Sequence, residues 1–445
     1  MSNKRAPKKT SASPLSRRDF LAASAIASAA AISGGCASAN RKPWLGPFAH
    51  ESINVTQPVR VGLIGCGGRG TGATRNCVES SEKIEIVAMG DLFKDRLDSH
   101  RAELVKNCGP AMKVIDEQCF VGFDAFKHVL ACDLDLVILA TPPHFRPEHL
   151  EAAIAAGKNV FMEKPVAVDP VGIRRVIAAS EVAEQKGLAI VSGTQRRHDP
   201  VYVETMRRIH DGAIGELTGG QCYWNQEGLW VKPRQPGWSD MEWQCRNWLY
   251  FTWLSGDHIV EQHVHNLDVI NWAMGGPPVK CVGMGGRQAR TEPKYGNIFD
   301  HFAIEYEYAN GVRTLSMCRQ TPHASTRVSE HLVGSRGTAN PHGVIDGRKQ
   351  YKFEYPEGVK PVNPYVQEHA DLIASIRLGK PLNEGRRVAE STLTAIMGRI
   401  SAYTGREVSW NWVRNASKLD LRPAAYALGD IETPTVAIPG QTKLV

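Results

Sequence analysis

The chain has no Cys-x-x-Cys pair: its ten cysteines stand singly along 445 residues. That spacing excludes a zinc ribbon and a thioredoxin-like redox pair. A chain of this length also buries enough surface to fold without disulfide staples, so the thiols read as buried. Long apolar runs are missing too. The best stretch, Phe20 to Ser33, falls short of the roughly 20 residues that a membrane-spanning helix requires. Basic residues form no long block beyond the extreme N-terminus, and a net charge of +7 spread over this length carries no nucleic-acid signal. What remains, at 42% apolar and 22% charged residues, is the composition of a globular enzyme of about two to three domains.

The first forty residues read as an address. Lys4, Arg5, Lys8 and Lys9 precede Ser16-Arg17-Arg18-Asp19-Phe20-Leu21, an Ala-rich stretch follows, and Ala37-Ser38-Ala39 offers a cleavage site. This order resembles a twin-arginine export signal over 1–39, which predicts passage through the twin-arginine machinery to the periplasm. Cys36, after Gly34-Gly35, is an alternative lipidation site, although Ser33 stands where such sites favour Leu. Residues 40–57, polar and containing Pro, read as a linker.

From Val59 the run Val-Arg-Val-Gly-Leu-Ile suits a buried parallel strand, and it stops at Gly65-Cys66-Gly67-Gly68-Arg69-Gly70. In this Gly-x-Gly-x-x-Gly pattern Gly65 permits the tight turn, Gly67 and Gly68 let backbone amides approach a pyrophosphate beside Arg69, and Gly70 lets the next helix pack on the strand. A second apolar run, Ile84 to Met89, leads to Asp91, where an acid can accept from ribose hydroxyls. Leu92, Phe93 and Lys94 follow, with no arginine at once, so NAD is favoured over NADP. Further strands over Leu134 to Ala140, Asn159 to Met162 and Leu188 to Ser192 alternate with helices near Pro147 to Ala156 and Val171 to Lys186. The fold class is therefore α/β, with a doubly wound parallel sheet forming a Rossmann domain over 58–194.

After Gly212 longer alternating runs (Glu216 to Asn225, Pro278 to Gln288, His301 to Tyr308, Val312 to Arg319) predict an α+β domain over 195–417 with a large, mainly antiparallel sheet. The tail 418–445 contains several prolines. At helical spacing, His258, Glu261, His265 and Asp268 fall on one polar face, with His263 off it. A neutral imidazole near pH 7 suits the proton acceptor that hydride transfer from a carbinol needs. The types His258, Glu261, His263 and His265 would also fit zinc, but such chemistry requires none, and no metal ligands are assigned. Six of the ten tryptophans, 224, 230, 238, 243, 248 and 253, crowd together, either as sugar platforms or as packing. His301, after Asp300, is a further candidate for the cleft.

Three segments carry a more specific likeness: Ala140-Thr141-Pro142-Pro143-His144, Ala156-Gly157-Lys158-Asn159-Val160 and Glu163-Lys164-Pro165. Over about 58–405 the chain resembles the glucose-fructose oxidoreductase and inositol dehydrogenase family, Gfo/Idh/MocA. The resemblance implies that Lys164 reaches the nicotinamide end and the substrate hydroxyl, that His265 is the proton acceptor, and that Glu261, standing where Asp is usual, orients it or binds substrate. It further implies dinucleotide contacts from Thr141, Pro142, His144 and Glu163 and substrate contacts from Arg196 and Asp268. The second sheet would be open-faced and used for association into a homo-oligomer.

The expected activity is an oxidoreductase on a sugar or polyol hydroxyl that keeps its cofactor, since free NAD is not expected outside the cytoplasm. A redox-neutral lyase, epimerase or glycoside-cleaving cycle through a transient keto-sugar is the alternative, and a sensor without turnover is a third. Asp91→Ala should weaken NAD binding and narrow its preference over NADP, measured by titration of both dinucleotides. Tighter binding of NADP than NAD by the unaltered protein would reject the assignment.

Overall fold

The Gly-x-Gly-x-x-Gly turn joins β1 (Val59–Ile64) to a helix over Gly68–Ser80, and this unit seeds a six-stranded sheet. The structure, a computed structural model, describes residues 46–48 and 51–445; Arg17, Arg18, Cys36 and the signal read over 1–39 lie outside the described residues. β1, β2 (Ile84–Asp91), β3 (Cys119–Val121), β4 (Leu136–Leu139), β5 (Asn159–Met162) and β6 (Ile190–Ser192) are all parallel, in the order β3-β2-β1-β4-β5-β6. Val61, Leu63, Leu136 and Ile138 are fully buried, as strands covered on both faces must be. The order reverses between β1 and β4, so their carboxyl ends open the crevice where ligands bind in such sheets.

The second sheet has nine strands: β7 (Leu217–Gln226), β8 (Lys280–Gly286), β9 (His301–Glu307), β10 (Arg313–Gln320), β11 (Arg327–Gly334), β12 (Gly337–Asn340), β13 (Val344–Gly347), β14 (Tyr351–Lys352) and β15 (Val408–Ser409). They lie in the order β14-β13-β12-β11-β7-β10-β9-β8-β15, antiparallel except for the β7–β10 pair. Helices Val264–Met274 and Gly385–Thr404 cover one face. The other exposes Val282, Met284, Leu315 and Met317. No described helix is long and apolar enough to cross a membrane.

Three cores hold these layers. One runs from the outer face of the parallel sheet, through Leu150 and Ile173, to Ile259, Leu267 and Ile304 under the second sheet. Another places Leu372 and Ile373, from the late helix Pro364–Arg377, against Val61 and Ile86. The third gathers Phe93, Phe145, Met241, Leu249, Phe251 and Trp253 with Leu421 and Tyr426 of the tail.

Gly65 sits at φ +96°, and a Cβ there would lie 2.5 Å from the Ala140 carbonyl carbon. Gly65→Ala should therefore cost about 2 kcal/mol or more, from strained backbone and steric overlap together. Calorimetric unfolding of the variant checks this, and an unchanged melting temperature would contradict it.

Candidate active site

The glycine turn presents backbone to a cavity of about 480 Å³. A Cβ at Gly67 or Gly68 would meet nothing within 4 Å, whereas one at Gly70 would run into the Gly65 carbonyl oxygen. Gly67 and Gly68 thus leave open the space that a pyrophosphate would take at the start of the helix. Gly70 lets strand and helix touch and does not line the cavity. Asp91, at the end of β2, lines it while accepting from the Cys66 amide (2.7 Å) and the Phe93 amide (2.9 Å). Burial pushes its carboxyl above the usual range, opposed by Arg96 and by these amides. The acid therefore shapes the loop as well as facing the ligand space.

Thr141, Pro142 and Arg69 also line the cavity, but His144, Glu163 and Lys164 do not. His144 turns away: its Nε2 pairs with the Tyr426 hydroxyl at 2.8 Å and its ring meets Trp253 edge-on. Burial lowers its pKa to about 3. The 3-10 turn Pro143–Phe145 sends successive side chains about a third of a turn apart, so Phe145 rather than His144 faces the cavity. Glu163 lies under Arg69, whose Nε donates to its Oε1 at 2.5 Å, and it holds Arg69 without lining the cavity.

The reacting side is built where β5 ends. Lys164 Nζ donates to the Glu261 backbone oxygen at 2.6 Å and to Glu261 Oε1 at 2.9 Å. The Glu261 carboxylate thus orients Lys164 rather than the histidine. His265 is buried with its ring parallel to Trp224, centroids 5.8 Å apart. Burial first, then Lys164, Arg196 and Arg69, hold its pKa well below the ordinary imidazole value, so it is neutral and able to accept a proton. Arg196 lies 6.0 Å from the Trp224 ring and is paired with Glu330, which also accepts from Asn266 Nδ2 at 2.6 Å.

The single polar helix face expected over 258–268 does not form. Helix His258–Glu261 ends, and a new helix starts at Val264. Between them the His263 amide bonds five residues back and the His265 and Asn266 amides three back, so the helical phase slips. Asp268 consequently meets Arg197, at 2.8 Å to Nε and 3.0 Å to Nη2, and Ser391 at 2.7 Å. It is a buried ion-pair partner and not a substrate ligand. His258 pairs with Asp257 and His263 with Ser316, which disperses the four residues that could have held zinc. Among the described residues no three His, Cys, Asp or Glu side chains converge on a metal-sized site. His301, its side chain 47% exposed, sits on the open sheet face beside Asp300 and does not enter the cleft.

The tryptophans divide. Trp224 stands beside His265, Trp230 and Trp248 line the dinucleotide cavity, and Trp243 and Trp253 pack in the third core. Sequence reasoning missed Lys232, Arg246, Arg96 and His100 as cavity residues. Only the crowding of tryptophans hinted that the segment was functional.

The family model described as "Oxidoreductase family, NAD-binding Rossmann fold" matches residues 59–192, and the "GFO/IDH/MocA C-terminal domain" matches 202–340. The chain belongs to the Gfo/Idh/MocA family. Inositol 2-dehydrogenase 4 of Saccharopolyspora erythraea is 36% identical over 157 residues, 35% of this chain and 42% of that protein. The chain thus spans less than half the length of that relative. The scyllo-inositol 2-dehydrogenase (NAD(+)) of Bacillus subtilis is 25% identical over 63% of this chain and 72% of its own. The fold matches scyllo-inositol dehydrogenase of Lactobacillus casei with bound NAD(H) and scyllo-inositol (TM-score 0.61, 18% identity, 79% of this chain and 99% of that one). It also matches aldose-aldose oxidoreductase of Caulobacter crescentus with glycerol (TM-score 0.62, 17% identity, 79% and 100%). The Gfo/Idh/MocA domains over 59–192 and 202–340 thus contribute Lys164 and His265 respectively.

Lys164→Ala and His265→Ala should each lower turnover at least about 100-fold while leaving the dinucleotide bound, because a positioned acid or base contributes roughly 10² to 10⁴. Since burial lowers the His265 pKa, its neutral form persists below the ordinary value of about 6.5. The acid limb of kcat/KM should lie below that pH. A limb at or above it, or near wild-type turnover in the His265 variant, would sink the proton-acceptor role.

Proposed function

We propose that the chain is an exported NAD-dependent oxidoreductase that acts on a hydroxyl of a sugar or polyol, hands the two electrons on to a second, carbonyl-bearing substrate, and keeps its dinucleotide from one turnover to the next. The observation that carries this reading is the Lys164–Glu261 bridge beside a buried, neutral His265, next to the glycine-lined cavity. Of the three protons on the Lys164 ammonium, the two bonds to Glu261 use two. The third is free to polarise the substrate oxygen. His265 takes the hydroxyl proton as the C–H bond breaks. NAD, when bound, supplies the hydride acceptor. The indole face of Trp224 offers a surface for the apolar side of a sugar ring. The relatives named above, which by their names act on inositols or aldoses, support the substrate class. The exposed apolar stripe on the second sheet supports association into a homo-oligomer.

Arg17-Arg18 supports export of an already folded protein, and the cofactor must then travel inside it. The same pairing of an export signal with a dinucleotide site favours a second reading, a redox-neutral cycle. There a hydroxyl is oxidised, the carbonyl acidifies the neighbouring C–H for elimination or epimerisation, and the hydride returns. Protein from the periplasmic fraction should release about one dinucleotide per chain on heating and act without added NAD, with a carbonyl-bearing acceptor present for net oxidation and on the hydroxyl substrate alone for the redox-neutral cycle. Product mass separates the two cycles, being lower by two hydrogens only after net oxidation. Empty protein that works only with millimolar NAD would overturn retention.

A further inference from the structure

The cavity beside the glycine turn is closed by a segment of the second half of the chain. After β7, residues 227–250 cross to the parallel sheet, where Trp230, Lys232, Arg246 and Trp248 face Gly67, Gly68 and Asp91 across the cavity. An acid at the end of β2 meets the ribose of the adenosine half in this type of sheet, so what lies beyond Asp91 faces adenine. There Trp230 and Trp248 approach each other at 6.1 Å, and Trp230 remains 43% exposed, with ring surface that no protein group covers.

The segment is fixed at both ends. Arg246 binds both oxygens of Asp95, each at 3.0 Å, and Glu242 at 2.9 Å. Its guanidinium lies 3.8 Å from the Phe93 ring centroid and 4.9 Å from that of Trp238. Asp95 belongs to the first turn of the helix Lys94–Cys108 that follows β2, so this pair joins the crossing segment to the Rossmann sheet. A paired, stacked guanidinium of this kind holds one geometry, unlike an ordinary surface ion pair. The fully buried Asn247 staples the loop internally, accepting from the Lys232 amide and donating to the Lys294 carbonyl, both at 2.9 Å. Neither Lys164 nor His265 lines this cavity, so the feature is separate from the reacting end.

We infer that 229–248 is a clasp on the adenosine half of NAD, with Trp230 stacking on adenine, Trp248 set at 59° to it as a neighbouring wall, and Arg246 latched on Asp95, and that it sets the slow loss of the cofactor. The inference rests on the reading that NAD stays bound. Most affinity differences between related complexes reside in the dissociation rate, and stacking an aromatic side chain on a base is a contact that alanine substitution measurably removes.

The test uses the full chain loaded with NAD, as wild type, Trp230→Ala and Asp95→Ala. Asp95 is 67% exposed at its side chain, and Arg246 keeps Glu242 in its absence, so neither change opens a core. Equal melting temperatures of the dinucleotide-free proteins confirm the fold. Bound NAD is chased with isotope-labelled NAD, and the exchanged fraction is read by mass after rapid desalting. Each variant should exchange at least about tenfold faster than wild type. Wild type and both clasp variants holding NAD equally long overturns the clasp and leaves retention standing. Wild type exchanging within seconds overturns retention itself.

Discussion

The bridge from Lys164 to Glu261 is the constraint on which the active-site geometry depends. It ties the carboxyl end of β5 to the short helix His258–Glu261, and so fixes the Rossmann sheet against the element just before the helix Val264–Met274 that carries His265. Both side chains are largely buried, at 15% and 13% exposure. Charges in such surroundings are costly unless paired, and removing one partner leaves the other without compensation. The bond to the Glu261 carbonyl adds a second anchor that does not depend on the carboxylate. Two bonds to one residue leave the ammonium a single free direction.

Around this bridge the electrostatics are arranged in layers. Arg69 sits between Glu163 and Glu368, with its guanidinium 5.0 Å from the Tyr365 ring. Glu368 is fully buried, and burial together with Glu163 pushes its pKa up, opposed by Arg69. Farther out, His198 lies between Asp371 and Glu384, and these carboxylates raise its pKa to about 10 despite burial. The raised value means that its stabilising charge is complete below the unfolded pKa of about 6.5 and is lost as pH rises through about 10. His144, His149 and His263 are the opposite case, buried as neutral rings with pKa values lowered to about 3. They favour the fold above about 6.5 and penalise it progressively as pH falls toward 3. The two groups together place greatest stability near neutrality.

The chain returns to the cofactor side twice after leaving it. The segment after β7 supplies one wall of the cavity, and the tail supplies Leu421 and Tyr426 to the core beneath that wall. Because this third core contains Phe93 and Phe145 from the Rossmann loops, the wall packs as part of the folded body. Its aromatic content serves packing at Trp243 and Trp253, and leaves ring surface open at Trp230.

What the sequence determined by itself is local. The strand before Gly65, the glycine spacing, the acid at Asp91 and the alternation of strand and helix through Ser192 each depend on neighbours within about thirty residues, and backbone sterics and burial period suffice to read them. The antiparallel second sheet was legible for the same reason, from alternating burial along its strands. Tertiary structure alone decided which of the spaced polar residues meet. A slip of helical phase at Gln262 and His263 sent Asp268 to Arg197 while leaving His265 beside Trp224. One 3-10 turn pointed His144 at Tyr426 instead of the cofactor side. The tryptophan cluster was visible as composition, but its division between the reacting end, the adenosine end and the core depended on tertiary contacts, from Trp224 on His265 within the second half of the chain to Arg246 on Asp95 in the first. No periodicity encodes a pairing at that separation; it is set by how the completed layers pack.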